Sequence, residues 1–169
     1  GSSMPTWYGG WNNTVSYKNF DLNVFFRFSG GNKIMNASRQ SALFNMDFSN
    51  NGTEILGRWV SPEQPGDGMT PKIGYGDASS LFNDGYTDSH FVESGNYLKL
   101  STLALGYTLP KAVVSKLNMT KIRFYVQGQN LLTITGYSGL DPETNSRLGV
   151  DWNGMPQQRS FTFGANITF

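Results

Sequence analysis

Few side chains in this sequence could do chemistry, and their spacing is wrong for it. His90 is the sole histidine and lies in Asp84-Gly-Tyr-Thr-Asp-Ser-His90, a Gly/Asp/Ser-rich stretch with no serine or cysteine elbow for a general base to serve. The absence of cysteine excludes disulfide frameworks, thiolate metal sites and cysteine nucleophiles. Asp84, Asp88, Asp141 and Glu143 are hard oxygen donors of the kind calcium takes, but no twelve-residue calcium loop can be drawn through them. Turn-forming aspartates are the plainer reading. Asn-x-Ser/Thr triplets at Asn12, Asn36, Asn51, Asn118 and Asn166 match the glycan acceptor pattern. Asn12 and Asn166 fall within strands, and the abundance of asparagine explains all five. The sequence therefore predicts a protein that is not an enzyme and carries no cofactor or metal.

Composition narrows the class further. Only 15% of the 169 residues are charged, well below the roughly 25% usual in globular proteins, whereas 14% are aromatic. A formal net charge of +1 without a basic patch gives no reason to expect a nucleic-acid partner. No run of 18 or more apolar residues exists, so a membrane-spanning helix is not predicted. Barrel strands, which carry only short alternating signals, remain open.

Those alternating signals organise the chain. Trp11, Val15 and Tyr17 oppose Asn12, Thr14, Ser16 and Lys18 in a strand over about 10–18. After Lys18-Asn19 the alternation resumes over 20–30, so the pair reads as a hairpin. A third strand over 96–109 changes phase between Leu100 and Leu103, which predicts a β-bulge near Ser101-Thr102. A fourth, over 120–135, sets Ile122, Phe124 and Val126 against Arg123, Tyr125, Gln127 and Gln129. The fifth, over 159–169, ends Phe161-Thr-Phe-Gly-Ala-Asn-Ile-Thr-Phe169, an apolar edge that a soluble domain would normally blunt or cover. Long segments over 31–95 and 136–158 have loop composition, with one or two short helices expected between Asn36 and Trp59.

Short and long connections alternate, as in bacterial outer-membrane barrels, where short turns face the periplasm and long loops face outside. Tyr17, Phe20, Tyr107 and Phe169 then fall at the short-turn edge, where an interfacial aromatic girdle belongs. The fold class read from the residues is all-β, an antiparallel transmembrane barrel. Five strands cannot close one, and the amino-terminal Gly1-Ser-Ser-Met-Pro has no signal-peptide character, so a larger parent is expected.

Several blocks in order carry a family resemblance: Pro5-Thr-Trp-Tyr-Gly-Gly10 with Val15-Ser-Tyr-Lys-Asn-Phe-Asp-Leu22, Gly30-Gly-Asn-Lys-Ile-Met-Asn36, Phe91-Val-Glu-Ser-Gly-Asn-Tyr-Leu-Lys-Leu100, Leu105-Gly-Tyr-Thr-Leu-Pro110, Ile122-Arg-Phe-Tyr-Val-Gln-Gly-Gln-Asn-Leu-Leu-Thr-Ile-Thr135, Tyr137-Ser-Gly-Leu-Asp-Pro-Glu143 and the terminal strand. The chain resembles the carboxyl-terminal barrel segment of SusC/RagA-type TonB-dependent outer-membrane transporters. The resemblance implies the last five strands of a barrel of about 22, with the plug domain elsewhere. It implies import of oligosaccharides or peptides across the outer membrane of a Gram-negative bacterium. The partners implied are the rest of the barrel and plug, a SusD-like surface lipoprotein, the TonB complex acting through the plug, the outer-membrane assembly machinery and the lipid bilayer.

On this reading Arg123, Tyr125, Gln127 and Gln129 face the lumen, and the 31–95 loop contributes to the substrate mouth or the lipoprotein contact. Trp59, Tyr75, Tyr86, Tyr137 and Trp152 either stack on substrate or lid, or pack the loops. The class-different alternative is a soluble all-β carbohydrate-binding module, in which the apolar strand faces would bury against each other. Phe161, Phe163, Ile167 and Phe169 look like the signal read by the assembly machinery, while Phe169 alone could serve just as a girdle residue. The substitution Phe169→Ala separates these roles in a pulse-chase of outer-membrane insertion. A signal role predicts markedly slower insertion; a girdle role predicts a normal rate with softened barrel stability.

Overall fold

The structure, a computed structural model, describes residues 1–40, 50–72, 89–143 and 148–169. Eight strands form among them: β1 (Trp7–Tyr17), β2 (Phe20–Gly30), β3 (Lys33–Asn36), β4 (Val92–Ser94), β5 (Tyr97–Thr108), β6 (Lys121–Thr135), β7 (Val150–Asp151) and β8 (Ser160–Thr168). They belong to two units. A sheet unit comprises Pro5–Gly31, Gly95–Gly136 and Gln157–Phe169; a loop unit comprises Gly1–Met4, Asn32–Ser94 and Tyr137–Pro156.

The sheet unit is one antiparallel sheet in the order β1-β2-β5-β6-β8. Alternation with a period of two gives it two chemically distinct faces. Across the register Tyr17 meets Phe20, Phe20 meets Tyr107 and Tyr107 meets Phe124; one layer further in, Val15, Leu22, Leu105 and Val126 form the next apolar row. The opposite face carries Asn12, Thr14, Asn23, Arg27, Gln127 and their neighbours, tied by hydrogen bonds. Asn23 Nδ2 donates to Asn12 Oδ1 and to Thr14 Oγ1, both at 2.9 Å.

The first strand starts at Trp7 rather than near residue 10, because Gly9 and Gly10 interrupt the alternation in sequence without interrupting the ladder. A Cβ on Gly9 would lie 2.7 Å from the Phe28 ring, and one on Gly10 would lie 2.9 Å from the Phe25 ring. Aromatic side chains from β2 thus cover both glycines, supplying the packing that glycine lacks in a strand.

A bulge crosses the middle of the sheet. Phe25 and Phe26 of β2 pair with Thr102 and Leu100 of β5, leaving Ser101 extra. On β6 the partners of Thr102 and Leu100 are Gln129 and Leu132, so Asn130 and Leu131 stand opposite Ser101, one residue more than β5 has there and two more than β2. Asn130 takes the left-handed conformation (φ 53°) that this local reversal requires and that asparagine tolerates. The bulged Ser101 presents its hydroxyl to Arg27 Nε at 2.9 Å on the polar face.

On that face a pair of charges spans three strands. Arg123 Nε of β6 donates to Asp21 Oδ1 of β2 at 2.9 Å, and its Nη2 makes a second contact to Oδ2. Between them on β5 lies Gly106, paired with Asp21, and any Cβ there would collide with both the guanidinium and the carboxylate. Glycine at 106 is therefore a condition of the ion pair. Gly164 of β8 plays the same part for Tyr125, whose ring occupies the space a Cβ would fill and lies 5.3 Å from the Arg123 guanidinium.

At one edge of the sheet the strands are joined by short connections. Lys18-Asn19 forms a two-residue turn with Lys18 in the left-handed region (φ 53°). Between β5 and β6 a helical turn, α1 (Lys111–Val114), continues as a 3-10 turn over Ser115–Leu117 and stops at left-handed Asn118. α1 packs on β6, where Val114 and Ile122 are both buried.

The loop unit is not structureless, in contrast to the loop composition of 31–95 and 136–158. β3 pairs antiparallel with β4 and parallel with β7. Residues 37–40 are helical, and 3-10 turns form at Thr53–Gly57 and Ser89–Phe91. Phe91, fully buried with Met35 and Ile55 packed against it, centres a small apolar core. Polar contacts do much of the remaining work. Tyr137, 5% exposed, donates its phenol to Asp151 Oδ2 at 2.6 Å, and Asp151 Oδ1 accepts from the Gly154 amide at 3.2 Å. Burial first, then the Asp151 bond, holds the Tyr137 phenol well above its ordinary pKa.

Two expected outcomes follow from these contacts, both measurable in the full-length protein. Gly106→Ala should cost about 1–2 kcal/mol in urea unfolding by separating Asp21 from Arg123, and the cost should largely vanish in an Asp21→Asn, Arg123→Gln background. An equal cost in both backgrounds would show that the ion pair is not what Gly106 protects. For Tyr137→Phe, loss of the donor to a buried carboxylate should speed hydrogen exchange at the Gly154 amide by roughly tenfold at neutral pH. Because the folded-state pKa is raised, the wild-type advantage is complete below the ordinary phenol value of about 10 and is lost as pH rises past it. Identical exchange in wild type and variant at neutral pH would contradict this role.

Candidate functional site

Two surfaces of the sheet unit and one of the loop unit carry the functional candidates. On the sheet, the apolar face is uncovered among the described residues: Phe163 is 78% exposed, and Trp11, Phe20, Leu105, Phe124 and Ile134 are exposed as well. Among the described residues of the sheet unit, α1 at the short-turn edge is the one element packed on it. Contiguous apolar surface of this kind implies an apolar environment or partner.

The aromatic residues at the short-turn edge form an ordered row. Tyr17, Phe20 and Tyr107 occupy successive register positions on β1, β2 and β5, with the Phe20 and Tyr107 rings 4.7 Å apart. Phe124 of β6 completes the row, a member the sequence reading placed on the apolar face without assigning it to the girdle. Its place as the aromatic of the apolar β6 set nearest the short connector was the available signal. Phe169 follows the last β8 residue and is 85% exposed. Phe161, Phe163 and Ile167 all lie on the apolar face of β8, which is an edge strand of the sheet.

The opposite face brings together the predicted polar set. Arg123 is engaged by Asp21, Tyr125 lies over Gly164, and Gln129 Oε1 accepts from Ser160 Oγ at 3.3 Å. Gln127 pairs with Ala104 and Thr162 on either side. All four project from the same side of β6, as period-two alternation requires.

In the loop unit the predicted aromatics separate into three groups. Trp152, 73% exposed, is presented to solvent, and Trp59 is partly exposed with Lys72 Nζ 5.7 Å from its ring. Tyr137 takes the packing alternative: its ring is buried and its hydroxyl is bound to Asp151, so it anchors the unit. Tyr75 and Tyr86 lie outside the described residues, as do Asp84 and Asp88. His90 packs edge-on against the Phe91 ring at 4.9 Å. Asp141 accepts the Glu143 amide at 3.0 Å, a turn-forming role.

A pocket of about 320 Å³ opens in this unit, lined by Asn36, Arg39, Glu54, Ser138, Leu140 and Asp151 among others. Its charged groups are engaged by one another and by neighbouring donors, with carboxylates in excess. Arg39 Nη2 meets Glu54 Oε2 at 2.7 Å and Nη1 meets Glu93 Oε1 at 3.4 Å, while Glu93 also accepts from the Ser138 amide and hydroxyl, each at 2.7 Å. The Glu54 hydrogen bond is the main reason the guanidinium is held even more firmly protonated than usual. Asn36, buried, donates to Glu93 at 3.2 Å and to Ser138 at 3.1 Å and accepts the Arg39 amide at 2.9 Å. No local pattern signals this cluster, whose members are scattered from residue 36 to 151.

No protein-family model matches the chain. Its whole length aligns with TonB-dependent receptor P3 of Formosa agariphila at 32% identity and with TonB-dependent receptor P26 of the same organism at 31%. Over 92% of its length it aligns at 26% identity with TonB-dependent receptor SusC of Bacteroides thetaiotaomicron, covering 14% of that protein. The chain spans 17% of the length of each of the two Formosa receptors. Among solved structures it is similar to the RagAB peptide importer in the open-open state (TM-score 0.79, 26% identity, 99% of this chain and 18% of that one). The closed-closed state gives a TM-score of 0.81 at 26% identity, again over 99% of this chain and 18% of the other. Relatives and structures agree with the residue blocks and with the one-layered sheet: this chain belongs to the SusC/RagA-type TonB-dependent receptors, of which it represents part of the β-barrel.

Proposed function

We propose that the chain is a barrel segment of an outer-membrane transporter that imports oligosaccharides or peptides together with a SusD-like surface lipoprotein. The observation that carries this reading is the single-layered sheet with one uncovered apolar face and one hydrogen-bonded polar face. A barrel wall between lipid and an aqueous lumen needs both. The soluble binding-module alternative requires a second layer over the apolar face, and the described residues of the sheet unit provide none. Peptide import is what the structural neighbours are named for, and SusC is among the relatives. Energy from the TonB complex would reach such a transporter through a plug that these residues do not include.

The loop unit supplies the recognition surface in this reading. Leu56, Leu140, Leu148, Trp152 and Met155 are all strongly exposed, and a concentration of exposed apolar side chains on a hydrogen-bonded frame suits contact with a substrate or a lid protein.

The test is uptake by the full-length transporter in cells lacking their own copy, offered fluorescent oligosaccharides and oligopeptides. Deleting Ser38–Asp88 should leave the folded, heat-modifiable barrel in the outer membrane while lowering uptake by roughly tenfold or more, the equivalent of ~1.4 kcal/mol. Unchanged uptake would remove residues 38–88 from the recognition surface.

A further inference from the structure

Charge is segregated along this chain to a degree that its net value of +1 conceals. The loop unit holds five basic and eleven acidic residues, a formal charge of −6; the sheet unit holds eight basic and one acidic, a formal charge of +7. The single acid of the sheet unit, Asp21, is engaged by Arg123. Three exposed lysines of the sheet unit, Lys18, Lys111 and Lys116, gather at the short-turn edge, in the hairpin turn and the α1 connector; Lys121, the first residue of β6, shares the polar face with Arg123 and stands apart from them.

These lysines sit beside apolar side chains of a particular kind. The Lys18 ammonium lies 5.3 Å from the centre of the Tyr17 ring, which belongs to the aromatic row Tyr17, Phe20, Tyr107, Phe124. Within the connector, Val114 is buried where α1 packs on β6, while Val113 and Leu117 are exposed in the same short segment as Lys111 and Lys116. The connector is thus amphipathic in a second sense: one residue fastens it to the sheet, and the exposed remainder mixes aliphatic side chains with ammonium groups. A soluble polyanion would satisfy the lysines and leave Val113, Leu117 and the aromatic row in water. A lipid leaflet with anionic headgroups satisfies both, with rings and aliphatic groups at the acyl boundary and ammonium groups among the phosphates.

We propose that this rim is a docking surface for anionic phospholipid headgroups, an inference that rests on the membrane-embedded reading given above. The lysines act as a set. Each basic residue near an anionic leaflet favours contact by roughly fivefold, so the three together select phosphatidylglycerol-type lipids over zwitterionic ones.

The experiment uses the full-length transporter in nanodiscs of phosphatidylcholine with a minority of phosphatidylglycerol, and native mass spectrometry to count the lipids the protein retains. Wild type should retain phosphatidylglycerol at several times its bulk proportion. The triple variant Lys18→Ser, Lys111→Ser, Lys116→Ser should retain the bulk proportion, and the corresponding triple arginine variant should behave like wild type. Raising salt from about 0.05 M to about 0.5 M should erase the wild-type enrichment, a measurement that decides the matter even if the serine variant does not assemble. Retention by wild type at the bulk proportion, or equal enrichment in wild type and serine variant, overturns the proposal and leaves the barrel reading intact. A protein that never embeds in any bilayer overturns both.

Discussion

The strict register of β2, β5 and β6 is the constraint on which the rest of this structure depends. With side chains alternating at a period of two, a slip of one residue would exchange the faces and put Asp21 and Arg123 among Phe20, Tyr107 and Phe124. The Asp21–Arg123 pair works against that slip because it reaches over an intervening strand and needs a glycine at the crossing point, a combination met at Gly106. One row away, Tyr107 packs on Phe20 on the other face. Polar and apolar faces therefore enforce the same alignment from opposite sides, and neither can be satisfied without the other.

Much of this was legible in the sequence because long strands alternate for long enough to be seen. The phase change between Leu100 and Leu103 pointed to the region where Ser101 is extra, since a single inserted residue inverts parity and leaves a trace in the pattern. The companion irregularity on β6 left none. Asn130 and Leu131 add two residues, and two residues restore parity, so Gly128 and Leu132 remain in phase and the strand reads as uninterrupted. Gly9 and Gly10 were missed for a different reason: a glycine shows no face of its own, and the Phe28 and Phe25 rings that cover them come from the neighbouring strand.

The loop unit was hidden because its elements are shorter than the period needed to recognise them. β3 has four residues, β4 three and β7 two, and the β3–β7 contact is parallel, between segments separated by more than a hundred residues of sequence. Composition rich in Gly, Asn, Asp and Ser signals loop chemistry, which suits the turns and hides the small core in which Met35 and Ile55 pack against Phe91. Tyr137 illustrates the limit best. An aromatic residue in a polar segment looks like a presented ring, and nothing local reveals that Asp151 accepts its hydroxyl from another strand.

What holds such a segment is worth setting against what holds the sheet. A small apolar core contributes little burial, so order must come from satisfied polar groups: Glu93 alone accepts from Asn36, Ser138 and Arg39, and Arg39 continues to Glu54. Such networks are favourable when every member has a partner and costly when one is removed. They also fix exposed neighbours without covering them. Trp152 follows Asp151, which is held by Tyr137, and so an exposed ring is carried by a backbone already ordered. A binding surface prepared in this way gives up less conformational entropy on contact than a free loop of the same length would. The polar network is thus the means by which a segment of loop composition presents apolar side chains in fixed positions.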